Sequence, residues 1–425
     1  MSDPIDVSAG EGKRKHEVDP PDHPNSVGWT HPRRIELATE TNPLPLLSGR
    51  LFAPVTVEYE LYGEISPAAD NVILIFHALS GDAHVAGWDA DWERDGRPWR
   101  NTPSGSSWWD RMVGPGKALD TSRYAVLCAN VLGSCYGTTG PSSTDPATGR
   151  PYGLSFPMVD VGDWVTLIVR LLDHLGIEQV LLAVGGSLGG QQVIELGLAY
   201  PDRVRGLAVL AASARLSAQG VALNFAARTA IVNDPHFAGG HYYGREFRPD
   251  AGLGVARMIG HITYLSESGM ETRFEARRKE PDELKRQLFD PHRVLPRPPG
   301  GYRGHNEFDV ESYLSYQASG FNERFDPNSY LYITKAMDYY DAARWGEGCL
   351  KRAFRRAQGD WLIASFTSDW LYTPAASRTL ADALAANLKP VTYINIASDY
   401  GHDAFLVEVD VLEKLLTGFL EGLQR

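Results

Sequence analysis

Strand-like and helix-like segments alternate along this 425-residue chain, which predicts an α/β protein with a mostly parallel central sheet covered on both faces. Three observations support that expectation. Short apolar runs that read as buried strands recur at Asn71–His77, Tyr124–Ala129, Gln179–Val184, Gly206–Ala211, Trp361–Phe366 and Val391–Ile396. Periodic apolar positions fit helices at Val161–Leu175, Gln191–Tyr200, Pro374–Asn387 and His402–Leu423. Between Arg215 and about Gln358 the rhythm breaks, helical patterns prevail, and an insert is expected there.

Taken in order, residues 1–28 are charged and Pro-rich and read as a disordered leader. Val55–Tyr62 alternates like an antiparallel strand and reaches the Val72 strand through a Pro-containing turn. The core is expected over 29–214 and 358–425, with a helical lid over 215–357. Inside the lid, the charged run Glu275–Arg286 mixes both signs, which suits a solvated face better than a nucleic-acid patch; Leu295–Gly304 is rich in Pro and Gly.

The most informative stretch is Gly185-Gly-Ser187-Leu-Gly189, placed between an apolar strand and a helix. A strand, a glycine-pinched turn with one serine, then a helix is the layout of a nucleophile elbow, so Ser187 is the candidate nucleophile. A Walker loop is excluded because no Gly-Lys-Ser/Thr follows. A dinucleotide fingerprint fits poorly, because its acidic residue would fall in the apolar run Gly206–Ala212.

Such a serine needs a base and an orienting acid, in the chain order Ser, Asp or Glu, His. Asp369 stands just past the Trp361–Phe366 strand, and His402 follows the Val391–Ile396 strand behind Gly401. Asp399 competes as the acid but lies within the loop itself. Singly, each reads equally well as a loop histidine or a helix cap; jointly and in order they point to acyl transfer. Backbone donors for an oxyanion are expected at Leu79, in the turn after the Asn71–His77 strand, and at Leu188.

Composition narrows the classes. A formal charge of −12 opposes nucleic-acid binding. No apolar run is long enough to cross a membrane, and the N-terminus lacks a basic start before an apolar core, so a soluble cytoplasmic protein is expected. Cys128, Cys135 and Cys349 suggest neither a disulfide framework nor a zinc site. His77 and His84 have no metal-ligand spacing; no metal is expected, and local hydrogen bonding explains them better.

Five ordered stretches together resemble the homoserine O-acyltransferases: His77-Ala-Leu-Ser-Gly-Asp-Ala-His84, Asn130–Ser143, Gly185-Gly-Ser-Leu-Gly-Gly190, Ser368-Asp-Trp-Leu-Tyr372 and Gly401-His-Asp-Ala-Phe405. The resemblance runs from about Pro45 to the C-terminus. It implies an α/β-hydrolase fold with a mostly parallel central sheet and an inserted helical lid. It also implies a Ser187–His402–Asp369 triad that moves an acyl group from acyl-CoA to the hydroxyl of L-homoserine. A cytoplasmic homodimer in methionine biosynthesis, with no permanently bound cofactor, is implied too. By matching motif, Arg228 corresponds to the family arginine that binds the amino-acid carboxylate, and Asp403 to the carboxylate that binds its ammonium. Local sequence alone reads them as a solvated helix arginine and a helix cap.

The donor turns on Leu371. Succinyltransferases of the family resemble Asp-Trp-Arg-Phe after the acid and acetyltransferases resemble Asp-Trp-Leu-Phe, whereas this chain has Asp369-Trp-Leu-Tyr372. A succinyl carboxylate wants a positive partner, so Leu371 favours acetyl-CoA as cosubstrate. Two insert stretches, Ala256–Ser266 and Arg324–Tyr340, look as much like the succinyl branch. Serine as acceptor and simple ester hydrolysis stay open, while the complete triad argues against a non-enzymatic scaffold. The lid is expected to form the CoA tunnel, whose basic residues the sequence does not reveal.

Overall fold

The computed structural model describes residues 18–101, 107–277 and 308–424. Its centre is an eight-stranded sheet of β1 (Arg33–Ala38), β2 (Val55–Tyr62), β3 (Val72–Phe76), β4 (Ala125–Ala129), β5 (Val180–Gly186), β6 (Val204–Leu210), β7 (Asp360–Phe366) and β8 (Val391–Ile396). They lie side by side as β1-β2-β4-β3-β5-β6-β7-β8. β2 runs antiparallel to both neighbours. Every other pair is parallel.

Apolar runs form the central strands because helices cover both faces and leave no side for polar residues. In β3, Val72, Leu74 and Phe76 point to one face; there they share a core with Trp164 of α1 (Val161–His174) and Val193 of α2 (Leu188–Ala199). Ile73 and Ile75 point to the other face. Each such side chain contributes about 1.5–3 kcal/mol by leaving water.

Between β6 and β7 the chain leaves the sheet to build α3 (Ala218–Val232), α4 (Asp250–Tyr264), α5 (Glu267–Phe274), α6 (Asp309–Arg324) and α7 (Pro327–Tyr339). Ser217 and Asp326 cap α3 and α7 by accepting from backbone N–H groups. After β7, α8 (Pro374–Ala385) joins the face of α1 and α2, and Leu380 and Leu384 enter its core. The last helix, α9 (Val409–Leu423), covers the opposite face with Leu412, Leu416 and Leu420.

Three local expectations differ from the observed chain. β1 was not expected: its sequence Arg-Arg-Ile-Glu-Leu-Ala is mostly polar, and it is recruited as an edge strand by backbone pairing with β2. The helix expected from His402 is broken, because Glu408 leaves helical geometry (φ −78°, ψ 50°) and His402 sits in a 3₁₀ turn, Gly401–Asp403. Residues 18–28, grouped with the leader, are packed: Val18 is buried and the Trp88 indole donates to the Asp19 carbonyl at 2.9 Å. Residues 1–17, most of the charged run and the Pro/Gly-rich stretch lie outside the described residues.

A buried ionic network ties the segment after β3 to β2. Arg97 makes two parallel bonds to Glu58, at 2.8 and 2.9 Å, and Arg34 adds a third at 2.8 Å. Glu60 meets His84 Nδ1 at 3.0 Å and accepts from the Tyr62 hydroxyl at 2.9 Å. Asp82 pairs with Arg100. Burial pushes the Glu58 carboxyl up and the two arginines pull it back. Removing one partner strands the other charge in the interior, so Glu58→Ala is expected to cost about 3–5 kcal/mol in denaturant unfolding.

Candidate active site

Ser187 alone joins β5 to α2. Its φ of 57° and ψ of −122° are strained for a residue with a β carbon, at a cost of about 1–3 kcal/mol. The strain is held from both sides, since Ser187 N donates to the Leu210 carbonyl at 3.0 Å and Gln191 N donates to the Ser187 carbonyl at 3.2 Å. Gly189 is obligatory because a β carbon there would land on the Phe76 carbonyl oxygen; at Gly186 it would strike the Phe405 ring. The helix therefore starts against the tip of β3.

Asp369 follows β7 and is buried, with every partner assigned. Its Oδ1 accepts from the N–H groups of Leu371 at 3.0 Å and Tyr372 at 2.8 Å, leaving Oδ2 to accept from His402 Nδ1 at 2.8 Å. That bond places the imidazole proton on Nδ1 and frees Nε2 to accept one. The His402 ring, 3% exposed, stacks on Tyr372 with centroids 5.1 Å apart and leans on Phe405 at 5.6 Å. Asp399 is exposed and makes no bond to His402.

Ser187 and His402 share neighbours without a hydrogen bond between them. Tyr372 stacks on the imidazole and turns its hydroxyl towards Ser187. That hydroxyl is buried, and burial keeps it protonated by raising its pKa. Catalytic bonds of this kind commonly tighten only when substrate binds.

Leu79 and Leu188 bracket the serine. Leu188 N–H is the first of α2, where helices leave their donors without internal acceptors. Leu79 sits in the turn after β3, held through His77, whose Nδ1 donates to the Ala78 carbonyl at 2.8 Å while Nε2 accepts from Val131 N at 3.3 Å. Those two bonds need a neutral ring, and burial lowers the His77 pKa accordingly. His84 is taken up by Glu60.

A cavity of about 40 Å³ opens at Ser187, walled by Leu79, Leu216, Ile259, Tyr264, Leu371 and Tyr372. Arg228 does not border it but stands one turn behind Asn224, which does. Arg228 and Asn224 both bond to Asp338, and the second guanidinium nitrogen of Arg228, Nη1, is buried without a hydrogen-bond partner among the described residues. Asp403, half-buried in the His402 turn, exerts its charge on Tyr264, Arg257 and Tyr313. The Cys135 thiol is pushed up to about 12, chiefly by burial, which makes it a poor nucleophile.

Sequence reasoning passed over Tyr264, Asp338, Arg257 and Arg324. Asn224 and Arg228 at i and i+4 on α3, and Arg257, Gly260 and Tyr264 on α4, carry a helical spacing that could have grouped them. Asp338 and Arg324 come from other helices and leave no such trace.

Comparisons with known proteins bear on the fold and the family. A family model described as the alpha/beta hydrolase fold matches residues 71–409. The homoserine O-succinyltransferase of Bordetella petrii is 43% identical over 100% of this chain and 94% of its own length. The homoserine O-acetyltransferase of Solidesulfovibrio magneticus is 44% identical over 93% of this chain and 94% of its own. Among solved structures, the homoserine O-acetyltransferase of Bacillus anthracis superposes with a TM-score of 0.78 at 26% identity, covering 92% of this chain and 98% of that one.

His77 gives the site a defined pH dependence. With its folded pKa below the ordinary 6.5, its contribution is complete above pH 6.5 and is lost as pH falls towards the folded value, because the unfolded chain takes the proton first. The urea midpoint of the wild type is therefore expected to drop more between pH 7.5 and 5.5 than that of His77→Gln, which cannot titrate.

Proposed function

Because the chain belongs to the homoserine O-acyltransferase family of the α/β-hydrolase superfamily, we propose that it moves an acetyl group from acetyl-CoA to the hydroxyl of L-homoserine through an acyl-Ser187 intermediate. The observation that supports this most is the bond from His402 Nδ1 to Asp369, which leaves Nε2 ready for the serine proton.

In the first half-reaction His402 Nε2 takes the Ser187 Oγ proton as Oγ attacks the thioester carbonyl carbon. The C–S bond breaks, and the CoA sulfur takes that proton from His402 and leaves as the thiol, which returns Nε2 to its neutral, accepting form. In the second, His402 takes the proton of the homoserine hydroxyl, whose oxygen attacks the acyl carbon. Ser187 Oγ then departs and recovers a proton from His402. The N–H groups of Leu79 and Leu188 would hold the oxyanion at each stage, each contributing roughly 3 kcal/mol.

Arg228 suits the acceptor carboxylate, since one guanidinium edge is anchored on Asp338 and Nη1 is unspent. Asp403 suits the ammonium, standing beside His402 on the same turn. Acetyl is favoured by the aliphatic walls Leu216, Ile259 and Leu371 around Ser187, which offer a distal carboxylate no cation. The same reading expects a cytoplasmic homodimer that works in methionine biosynthesis.

Mass-spectrometric product analysis tests the reading, with acetyl-CoA or succinyl-CoA offered alongside homoserine or serine. O-acetylhomoserine that disappears in Ser187→Ala supports it; O-succinylhomoserine overturns the donor, and free acid alone indicates a hydrolase. Asp369→Asn is expected to lower kcat by about 10³–10⁴-fold by losing the histidine tautomer. Leu371→Arg is expected to raise the succinyl-to-acetyl ratio of kcat/KM by about tenfold, the worth of one charge-assisted bond.

A further inference from the structure

We infer that Arg257 and Arg324 form an anion subsite beside the loop after β3, which takes a phosphate or carboxylate of the acyl donor; the inference rests on the acyl-CoA reading above. Arg324 Nη1 donates to the Ser80 carbonyl at 2.9 Å and the Tyr136 hydroxyl at 2.8 Å. Arg257 Nη1 reaches the Ser80 hydroxyl at 3.4 Å. Both guanidinium groups lie over the Phe321 ring, at 4.6 Å for Arg257 and 5.2 Å for Arg324. Two cations from different lid helices thus converge on one residue of the loop that carries Leu79.

Carboxylates act on them only at a distance, Asp403 on Arg257 and Asp82 on Arg324. Among the described residues no carboxylate forms an ion pair with either, although the chain holds 53 acidic residues against 41 basic ones. Arg257 Nε is buried without a hydrogen-bond partner among the described residues. Burial lowers the Arg257 pKa and the Arg324 charge lowers it further, while Tyr264, Asp403 and Tyr313 pull the other way. A neutral donor would serve a carbonyl and a hydroxyl as well, so the retained double charge calls for an anion that arrives from outside.

The position connects this charge to the reacting centre. Arg257, Gly260 and Tyr264 share one face of α4 at helical spacing, and Gly260 and Tyr264 border the cavity at Ser187. Leu79, next to Ser80, borders it too. A donor whose acyl carbon meets Ser187 would therefore extend along α4 towards Arg257. In a protein of net charge −12, this local cation pair would also draw a polyanionic donor in.

The test compares wild type with Arg257→Gln, Arg257→Lys and Arg324→Gln on acetyl-CoA, acetyl-pantetheine, succinyl-pantetheine and p-nitrophenyl acetate, alongside calorimetric binding of CoA. The Gln variants are expected to raise the KM for acetyl-CoA by about tenfold, the worth of one lost charge-assisted bond, with Arg257→Lys partly restoring it. A loss for acetyl-CoA that acetyl-pantetheine does not share assigns the anion to phosphate. A loss for succinyl-pantetheine beyond that for acetyl-pantetheine assigns it to the acyl carboxylate. Equal losses on all four substrates would mean that the arginines only clamp Ser80, and the subsite would be refuted. A wild type that binds CoA, with variants that bind it as tightly and lose nothing on succinyl-pantetheine, refutes the subsite alone. A wild type that binds no CoA, yet is acylated by p-nitrophenyl acetate, overturns the transferase reading and the subsite together.

Discussion

Everything at this site depends on how closely α2 approaches the tip of β3 across the one-residue turn at Ser187. With φ at 57°, the serine is lifted out of both strand and helix, and only glycine at position 189 lets the helix start against the Phe76 carbonyl. That contact sets the distance between Leu188 N–H and the Leu79 turn, which leaves the end of β3. The parallel pairing of β3 with β5 and of β5 with β6 fixes both ends of the turn. Backbone strain of about 1–3 kcal/mol persists because these neighbours over-determine it.

The other groups arrive by the same rule. Asp369 leaves the end of β7 and His402 the loop after β8, so parallel strands deliver their functional residues to one edge of the sheet. Strand order changes direction between β3 and β5, and a crevice forms at such a switch point. Asp369 then works as a junction: its three hydrogen bonds align Leu371, Tyr372 and His402 at once. The Leu371 side chain, which walls the cavity at Ser187, and the imidazole are therefore positioned by one carboxylate.

Legibility in the sequence followed the range of the forces involved. Central strands were readable because burial on both faces writes a continuous apolar run, and the elbow because steric limits at Gly185, Gly186 and Gly189 admit few residues. β1 was not, since an edge strand held by backbone pairing leaves no apolar signature. Nor was the break at Glu408, where the apolar period of α9 continues through the turn that places His402. The network of Glu58, Arg97, Asp82 and Arg100 escaped notice for another reason. Its partners stand far apart in the chain, and singly each reads as an ordinary surface charge.

That network and the two arginines of the helices between β6 and β7 make a consistent electrostatic division. Behind the loop after β3, buried acids are matched by arginines from the same half of the chain, and the loop is fixed before any substrate arrives. In front of it, Arg257 and Arg324 reach the same loop from the helices between β6 and β7 with no ion pair to a carboxylate among the described residues, and Phe321 supplies the surface on which they lie. A hydrolase and an acyltransferase can share Ser187, Asp369 and His402, so what separates them is which molecule is held against the acyl-serine and whether water is kept out. On the proposed reading, helices that bring two arginines without a close ion pair to the loop of Leu79 favour large anionic donors over small neutral esters. On this view, the choice between transfer and hydrolysis lies in the helices between β6 and β7, outside the triad itself.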